Sequence, residues 1–314
     1  MAQPIQSSHC RIALIVPCYN EELTIEGVIQ QFKSAIPSIE CWVFDNQSTD
    51  HTVQRAHAAG AQVRRVREKG KGNVVRRMFA DVEADIYIMV DGDGTYDASA
   101  SPALIRLMQR DGLDMVVGAR MGQEAAAYRT GHRWGNRMLT GTVALLFGQV
   151  FKDMLSGYRV FSRRFVKSFP SHARGFEIET ELAVHALSMR LPVAEVETLY
   201  GARPEGSVSK LSTYRDGLRI LLTIVSLVKQ EKPSLFFGLL FLLTLMASAG
   251  FAAPVLSTYL ETGLVPRLPT AVLAASLGVL AFLFLVCGLV LDTVTRGRAE
   301  AKRLAYLQVS QWKA

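Results

Sequence analysis

Charge is scarce in this chain of 314 residues: Asp, Glu, Lys and Arg make up 20%, against 49% hydrophobic residues. A disordered chain, rich in charge and poor in apolar residues, is excluded on that ground. Cysteine is scarcer still. Cys10, Cys18, Cys41 and Cys287 show no paired spacing, which argues against a disulfide framework or a zinc site and fits a reducing compartment. Met1 to Cys10 lacks an apolar core that would serve as a signal peptide. The stretch Lys69-Gly70-Lys71-Gly72-Asn73 lacks the spacing of a P-loop. Aromatics do not interleave with Arg64, Arg65, Arg67, Lys69, Lys71, Arg76 and Arg77, so no nucleic-acid partner is expected. The net charge of +7 still points to an anionic partner, such as phosphate groups or an anionic lipid surface.

What the sequence has in excess sits at its end. Leu235 to Leu260 carries no charge and one interruption, Pro254, and Thr270 to Leu291 carries no charge either. Each run is near or above the length that crosses a bilayer core as a helix. Two such runs joined by Glu261 to Pro269 predict a transmembrane hairpin. Lys229 and Lys232 precede it, Arg296, Arg298, Lys302, Arg303 and Lys313 follow it, and the connection holds only Arg267. Both flanks are therefore expected in the cytosol, at the inner (cytoplasmic) membrane or its equivalent. Tyr214 to Lys229 is apolar over much of a helical surface and reads as an amphipathic helix on the membrane, or as a core helix. Met138 to Phe151 reads equally as interfacial or core.

Upstream, strand and helix alternate. Strands are expected at Ile12–Val16, Cys41–Phe44, Gln62–Val66, Ile86–Val90 and Met115–Val117. Helices are expected at Leu23–Ala35, from Ser48-Thr49-Asp50 to about Gly60, at Asn73–Ala84 and at Pro102–Gln109. That alternation implies an α/β domain with a mostly parallel, Rossmann-like sheet, whose ligands gather beyond the carboxyl ends of the strands. Asn20 and Glu21, Asp45, and Asp91 with Asp93 follow three of those strands. Each alone also reads as a cap or turn residue; carboxylates at three strand ends on one sheet edge are harder to explain that way. Asp91-Gly92-Asp93 is the strongest signal. Two close carboxylates repel, and a divalent cation, Mg2+ or Mn2+, removes that cost, usually sharing substrate phosphates.

Several segments then resemble, in family order, the motifs of glycosyltransferase family 2. They are Val16-Pro17-Cys18-Tyr19-Asn20-Glu21-Glu22, Asp45-Asn46-Gln47-Ser48-Thr49-Asp50, Lys69 to Asn73, Asp91-Gly92-Asp93-Gly94-Thr95-Tyr96, Asp153 to Arg159, Phe176 to Glu181, and Arg203 to Leu211. More narrowly they resemble the dolichol-phosphate mannose synthase and polyprenyl-phosphate glycosyltransferase branch. The resemblance implies a GT-A fold and inverting transfer from a nucleotide-diphosphate sugar, UDP- or GDP-linked, to an undecaprenyl or dolichyl monophosphate. It implies that Pro17, Tyr19, Glu21 and Asp45 line the base and ribose, with Lys71 near that side. Asp91, Gly92 and Asp93 bind the nucleotide sugar, the two acids through the metal. Arg203 and Lys210 lie in a loop that closes over the diphosphate, and Arg120, Arg133, Ser156 and Arg159 lie near the acceptor phosphate. Relatives with such a hairpin can assemble through it as homo-oligomers.

The sequence departs from the family at Asn46, where many relatives have Asp, at Gln47, where Gly is usual, and at Thr95, where several have Gln. On this reading residues 1–212 form the cytosolic transferase domain, 213–232 the juxtamembrane helix, 233–295 the hairpin and 296–314 a basic cytosolic tail. A phosphate acceptor is anionic near neutral pH, its second pKa being about 6, so Glu177, Glu179 and Glu181 need not be bases. They serve as a helix-start turn or as a wall of the site. The rival readings are a processive polysaccharide synthase, which usually carries Gln-x-x-Arg-Trp where Thr130 precedes Arg133-Trp134 here, and a non-catalytic membrane subunit that only binds nucleotide sugar.

Overall fold

The computed structural model describes residues 10–121, 141, 143–145, 148, 151–171, 175, 177–202, 222–223 and 225–310. It divides into two compact units, Met1–Ile220 with Ala301–Ala314, and Leu221–Glu300.

In the first unit the chain order is β1 (Ile12–Cys18), α1 (Ile25–Ala35), β2 (Glu40–Asp45), α2 (Thr52–Ala58), β3 (Gln62–Arg65), α3 (Lys71–Asp81), β4 (Ile86–Met89), α4 (Ser101–Asp111), β5 (Met115–Met121), β6 (Arg159–Ser162), α5 (Arg163–Ser168), α6 (Ile178–Ser188) and β7 (Val193–Leu199). The strands form one sheet in the order β3-β2-β1-β4-β6-β5-β7. Pairing is parallel except at β6, which runs antiparallel to both β4 and β5. The mostly parallel α/β domain expected from the alternation is thus what is observed.

Burial explains the strand pattern. Ala13 to Val16 of β1 and Ile86 to Met89 of β4 are fully buried, as strands covered on both faces must be, and so they read as continuous apolar runs. Helix α1 buries Ile25, Val28, Ile29 and Phe32, one stripe at helical spacing. Helix α4 starts with Pro102 in its first turn and stops at Gly112, whose φ of 61° suits a left-handed cap. Before α2, the Asp50 carboxylate accepts from the Thr52 N–H at 3.0 Å. Helix α3 begins at Lys71, two residues earlier than the periodicity suggests, and ends at Asp81.

The second unit holds α7 (Pro233–Thr262) and α8 (Leu268–Leu307) as far as Glu300, both helices long and apolar enough to cross a membrane, with residues 225–231 also helical. Within the unit the Ser248 hydroxyl donates to the Ala274 carbonyl at 2.7 Å, and a side chain at Gly288 would press on the Cβ of Phe237. The buried residues of α8 are Ala274, Ala281 and Gly288, a small residue every second turn. Such a seam lets helix backbones approach in lipid. The remaining surface exposes Leu239, Leu243, Met246, Val279, Phe282, Leu283 and Val286. Helix α8 continues past the apolar run through Arg296, Arg298, Lys302 and Arg303. The expected helix Tyr214–Lys229 and the stretch Met138–Phe151 lie largely outside the described residues.

Residues 301–310 belong to the first unit. There the Tyr306 hydroxyl donates to Asp114 at 2.8 Å, and Asp114 also accepts from Ser162 and Arg164, both at 2.6 Å. Nearby in the same unit, His185 of α6 is buried edge-on to Phe165 and Phe169, with ring centroids 5.2 Å apart in each case. Neither ring nitrogen has a partner among the described residues. Burial, helped by Lys302, pushes its pKa down to about 3 from 6.5. A histidine held neutral in the fold contributes fully above its unfolded pKa, and that contribution is lost as pH falls from about 6.5 toward 3. His185→Phe is therefore expected to shrink the drop in Tm between pH 7 and pH 5, as scanned in detergent. An unchanged drop would mean that His185 is not what titrates.

Candidate active site

The carboxyl ends of β1, β2 and β4 share one rim, because parallel pairing points them the same way. β1 delivers Pro17 and, just beyond it, Tyr19, whose ring lies 5.8 Å from the Lys69 ammonium. The Glu21 N–H donates to the Thr52 hydroxyl at 2.8 Å, which fixes the turn that carries Glu21. β2 ends at Asp45, which is buried and accepts from the Ser48 N–H. Asp45 therefore shapes the turn as well as facing the rim.

Asn46 explains itself in this setting. Its amide donates to the carbonyls of Val66 and Glu68, and its oxygen accepts from the Gly70 N–H at 2.8 Å. An aspartate in that place lacks the donors. Gln47 sits at φ 67° and its amide donates to the Arg67 carbonyl. The two departures from the family pattern thus tie the loop at 66–70 to the end of β2. Gly70, at φ 119°, then turns the chain into α3, where a side chain would be strained.

Lys71 opens α3. Expected near the base or ribose, it has its ammonium 2.5 Å from Asp91 Oδ1 and 2.5 Å from Glu179 Oε1. Burial alone would lower its pKa, but Asp91 and Glu179 outweigh that and raise it, so the ammonium stays charged. Gly92 approaches the end of β1 so closely that a Cβ would collide with Cys18 Sγ. Its carbonyl accepts from the Thr24 hydroxyl at 2.6 Å. Asp93 is buried, and its Oδ1 accepts from the Thr95 hydroxyl at 2.7 Å and from the Thr95 N–H. Thr95, where several relatives have Gln, orients this carboxylate.

The turn suits a hard divalent cation. Asp91 and Asp93 stand two residues apart in one turn, and Gly157 lies in front of Asp91 Oδ2, where any Cβ would collide with that oxygen. The Gly157 N–H is pinned by the Tyr96 hydroxyl at 2.8 Å. Burial and Asp91 raise the Tyr96 pKa, so that hydroxyl remains protonated. Among the described residues no third His, Cys, Asp or Glu joins the pair as a metal site. The remaining ligands of a bound ion would be substrate phosphate oxygens and water.

The residues expected near the acceptor are engaged within the protein. Arg120 Nε and Nη2 donate to the two oxygens of Asp153 at 2.7 and 2.8 Å, a forked pair. The Ser156 hydroxyl donates to the Gly118 carbonyl. Arg159, fully buried at the start of β6, donates to the carbonyls of Ser156 and Met154. Burial pushes its pKa down to about 10. Ser156 and Arg159 thus hold the loop that presents Gly157 to Asp91. Arg133, Arg203 and Lys210 lie outside the described residues. Sequence reasoning gave Glu179 no definite role and did not single out Gly157 or Asp153. Gly157 stands in a quoted motif, but neither the Lys71–Glu179 pair nor the Arg120–Asp153 pair leaves a mark in sequence spacing.

A mostly parallel sheet with acids along its carboxyl rim is the layout of a GT-A domain. The model of glycosyl transferase family 2 matches residues 13–169. Glycosyltransferase AglJ of Haloferax volcanii is 35% identical over 244 residues, 77% of each chain. The dolichol-phosphate mannosyltransferase of Pyrococcus furiosus is 26% identical over 219 residues, 64% of this chain and 59% of that one. A crystal structure of Mycobacterium tuberculosis glucosyl-3-phosphoglycerate synthase, in complex with Mn2+, UDP-glucose and glycerol 3-phosphate, aligns with a TM-score of 0.58 at 26% identity, over 70% of this chain and 79% of that one. The chain belongs to glycosyltransferase family 2.

Gly157→Ala places a methyl group against Asp91. It is expected to cut sugar transfer by about tenfold or more, since small displacements at a reacting centre are costly, with the far-UV circular dichroism spectrum unchanged. Normal turnover would show that Asp91 has room to move.

Proposed function

We propose that this chain moves a hexose from a UDP- or GDP-sugar to a polyprenyl monophosphate, undecaprenyl or dolichyl, at a membrane surface and with inversion. The observation that carries the acceptor half is the pair of helices α7 and α8, apolar over spanning length and largely unburied. In water they would form an exposed apolar patch far beyond what a soluble monomer carries; in a bilayer they are at home. An acceptor with an isoprenoid tail stays in that same bilayer. The donor half is supported by the rim of Asp45, Asp91 and Asp93, and by relatives whose structures hold Mn2+ and UDP-glucose.

The reaction is a single displacement. An oxygen of the acceptor phosphate attacks the anomeric carbon, and the bond from that carbon to the diphosphate oxygen breaks, its electron pair leaving with the nucleoside diphosphate. The acceptor oxygen is already anionic, so no base need remove a proton. Asp91 and Asp93 fit a divalent cation, which, when bound, supplies positive charge against the departing diphosphate. On the motif reading Arg203 and Lys210 add cationic charge there from a closing loop, and Arg133 contributes to the acceptor side. Lys71 keeps Asp91 in one orientation, and Thr95 does the same for Asp93.

Asp93→Ala is expected to abolish transfer in a radiolabelled-sugar assay while the protein remains folded; near-normal turnover would remove Asp93 from the metal pair. In lipid nanodiscs, a long-chain polyprenyl phosphate should be used at far higher kcat/KM than a short, water-soluble isoprenyl phosphate or 3-phosphoglycerate. Equal use of the three would refute the lipid acceptor.

A further inference from the structure

Glu179 stands in the first turn of α6, is only 4% exposed, and is absent from the donor-binding roles implied by the motifs. Its carboxylate pairs with Lys71, whose ammonium also holds Asp91, each at 2.5 Å. The three groups sum to one negative charge, with a single cation between two anions. Asp91 is thus already countered on Oδ1 before any ligand arrives. A metal ion and an ammonium compete for a carboxylate, and the outcome depends on what else holds the ammonium. Glu179 draws on the same ammonium. It leaves Asp91 partly neutralised, held in place but still attractive to a second cation.

We propose that Glu179 is a positioning residue that sets the divalent-cation affinity of the Asp91 turn by dividing Lys71 between two carboxylates. The proposal rests on Asp91 and Asp93 being the metal pair. The plainer account makes Lys71 and Glu179 a strut between α3 and α6. The two accounts differ in sign. If Glu179 shares the ammonium, Glu179→Gln gives Lys71 wholly to Asp91 and weakens metal binding, whereas Lys71→Met leaves both acids uncompensated and tightens it. A strut makes both variants weaken binding or leaves both unchanged.

The test is Mn2+ binding to the full-length protein in detergent, followed by loss of the free Mn2+ electron paramagnetic resonance signal. It is run with saturating UDP and, in a parallel series, with GDP. Glu179→Gln is expected to weaken Mn2+ binding about tenfold and Lys71→Met to tighten it about tenfold, the scale of one close opposite charge. Glu179→Asp keeps the charge but shortens the reach, and is expected to weaken binding about threefold. It decides the matter with Glu179→Gln if Lys71→Met fails to fold. Shifts of the same sign in Glu179→Gln and Lys71→Met, or wild-type affinity in Glu179→Asp, overturn the positioning role and leave the metal pair standing. If the wild-type protein binds no Mn2+ with either nucleotide, the metal pair itself falls, and this proposal with it.

Discussion

One ammonium between two carboxylates ties the rim together. Lys71 comes from the start of α3, Asp91 from the end of β4 and Glu179 from the start of α6, so three separate stretches of chain must close on a single point. Bringing charges out of water is costly, and a buried lysine with one partner missing would destabilise the site rather than serve it. The position of Lys71 depends in turn on Gly70, whose N–H is held by Asn46 at the end of β2. The arrangement runs from the β2 turn through the 66–70 loop to the carboxylates. A change at Asn46 is therefore felt at Asp91 without touching it.

A similar economy marks the other wall. Arg120, Ser156 and Arg159 carry donors suited to a phosphate, yet each is engaged by the protein itself. Asp153 takes the fork of Arg120, and backbone carbonyls take Ser156 and Arg159. Their combined effect is a firm loop ending in Gly157, the one residue type that can lie against Asp91 Oδ2 without crowding it. In the second unit, small residues again decide close approach. Ala274, Ala281 and Gly288 form the seam, while the bulky residues face outward.

Much of this was legible in the sequence because it rests on local signals. Buried parallel strands write themselves as apolar runs, and β1, β2 and β4 were found within two residues at each end. Carboxylates just past those runs marked the rim, and uncharged length marked α7 and α8. What escaped notice depends on contacts distant in sequence. β6 is four residues long and begins with an arginine, so nothing in its pattern separates it from a turn; only pairing with β4 and β5 makes it a strand. β7 alternates Glu195 and Glu197 with apolar residues at the sheet edge and lacks the buried run that marks the central strands. The motif and forked donors of Arg159 suggest it for the acceptor phosphate, whereas its burial and its bonds to the carbonyls of Ser156 and Met154 depend on a loop that the sequence does not mark. Glu179 reads from sequence as an acidic first turn or a wall of the site, and its pairing is hidden because its lysine lies far upstream.

The reversal of β6 has an effect on what reaches the donor turn. β5 finishes at the rim and β6, running the other way, begins there, with Val117 paired to Arg159. The chain between them leaves and re-enters the sheet at the same edge, beside the donor turn. Asp91 at the end of β4 and the turn holding Gly157 just before β6 therefore meet on one side of the sheet, though they lie far apart along the chain.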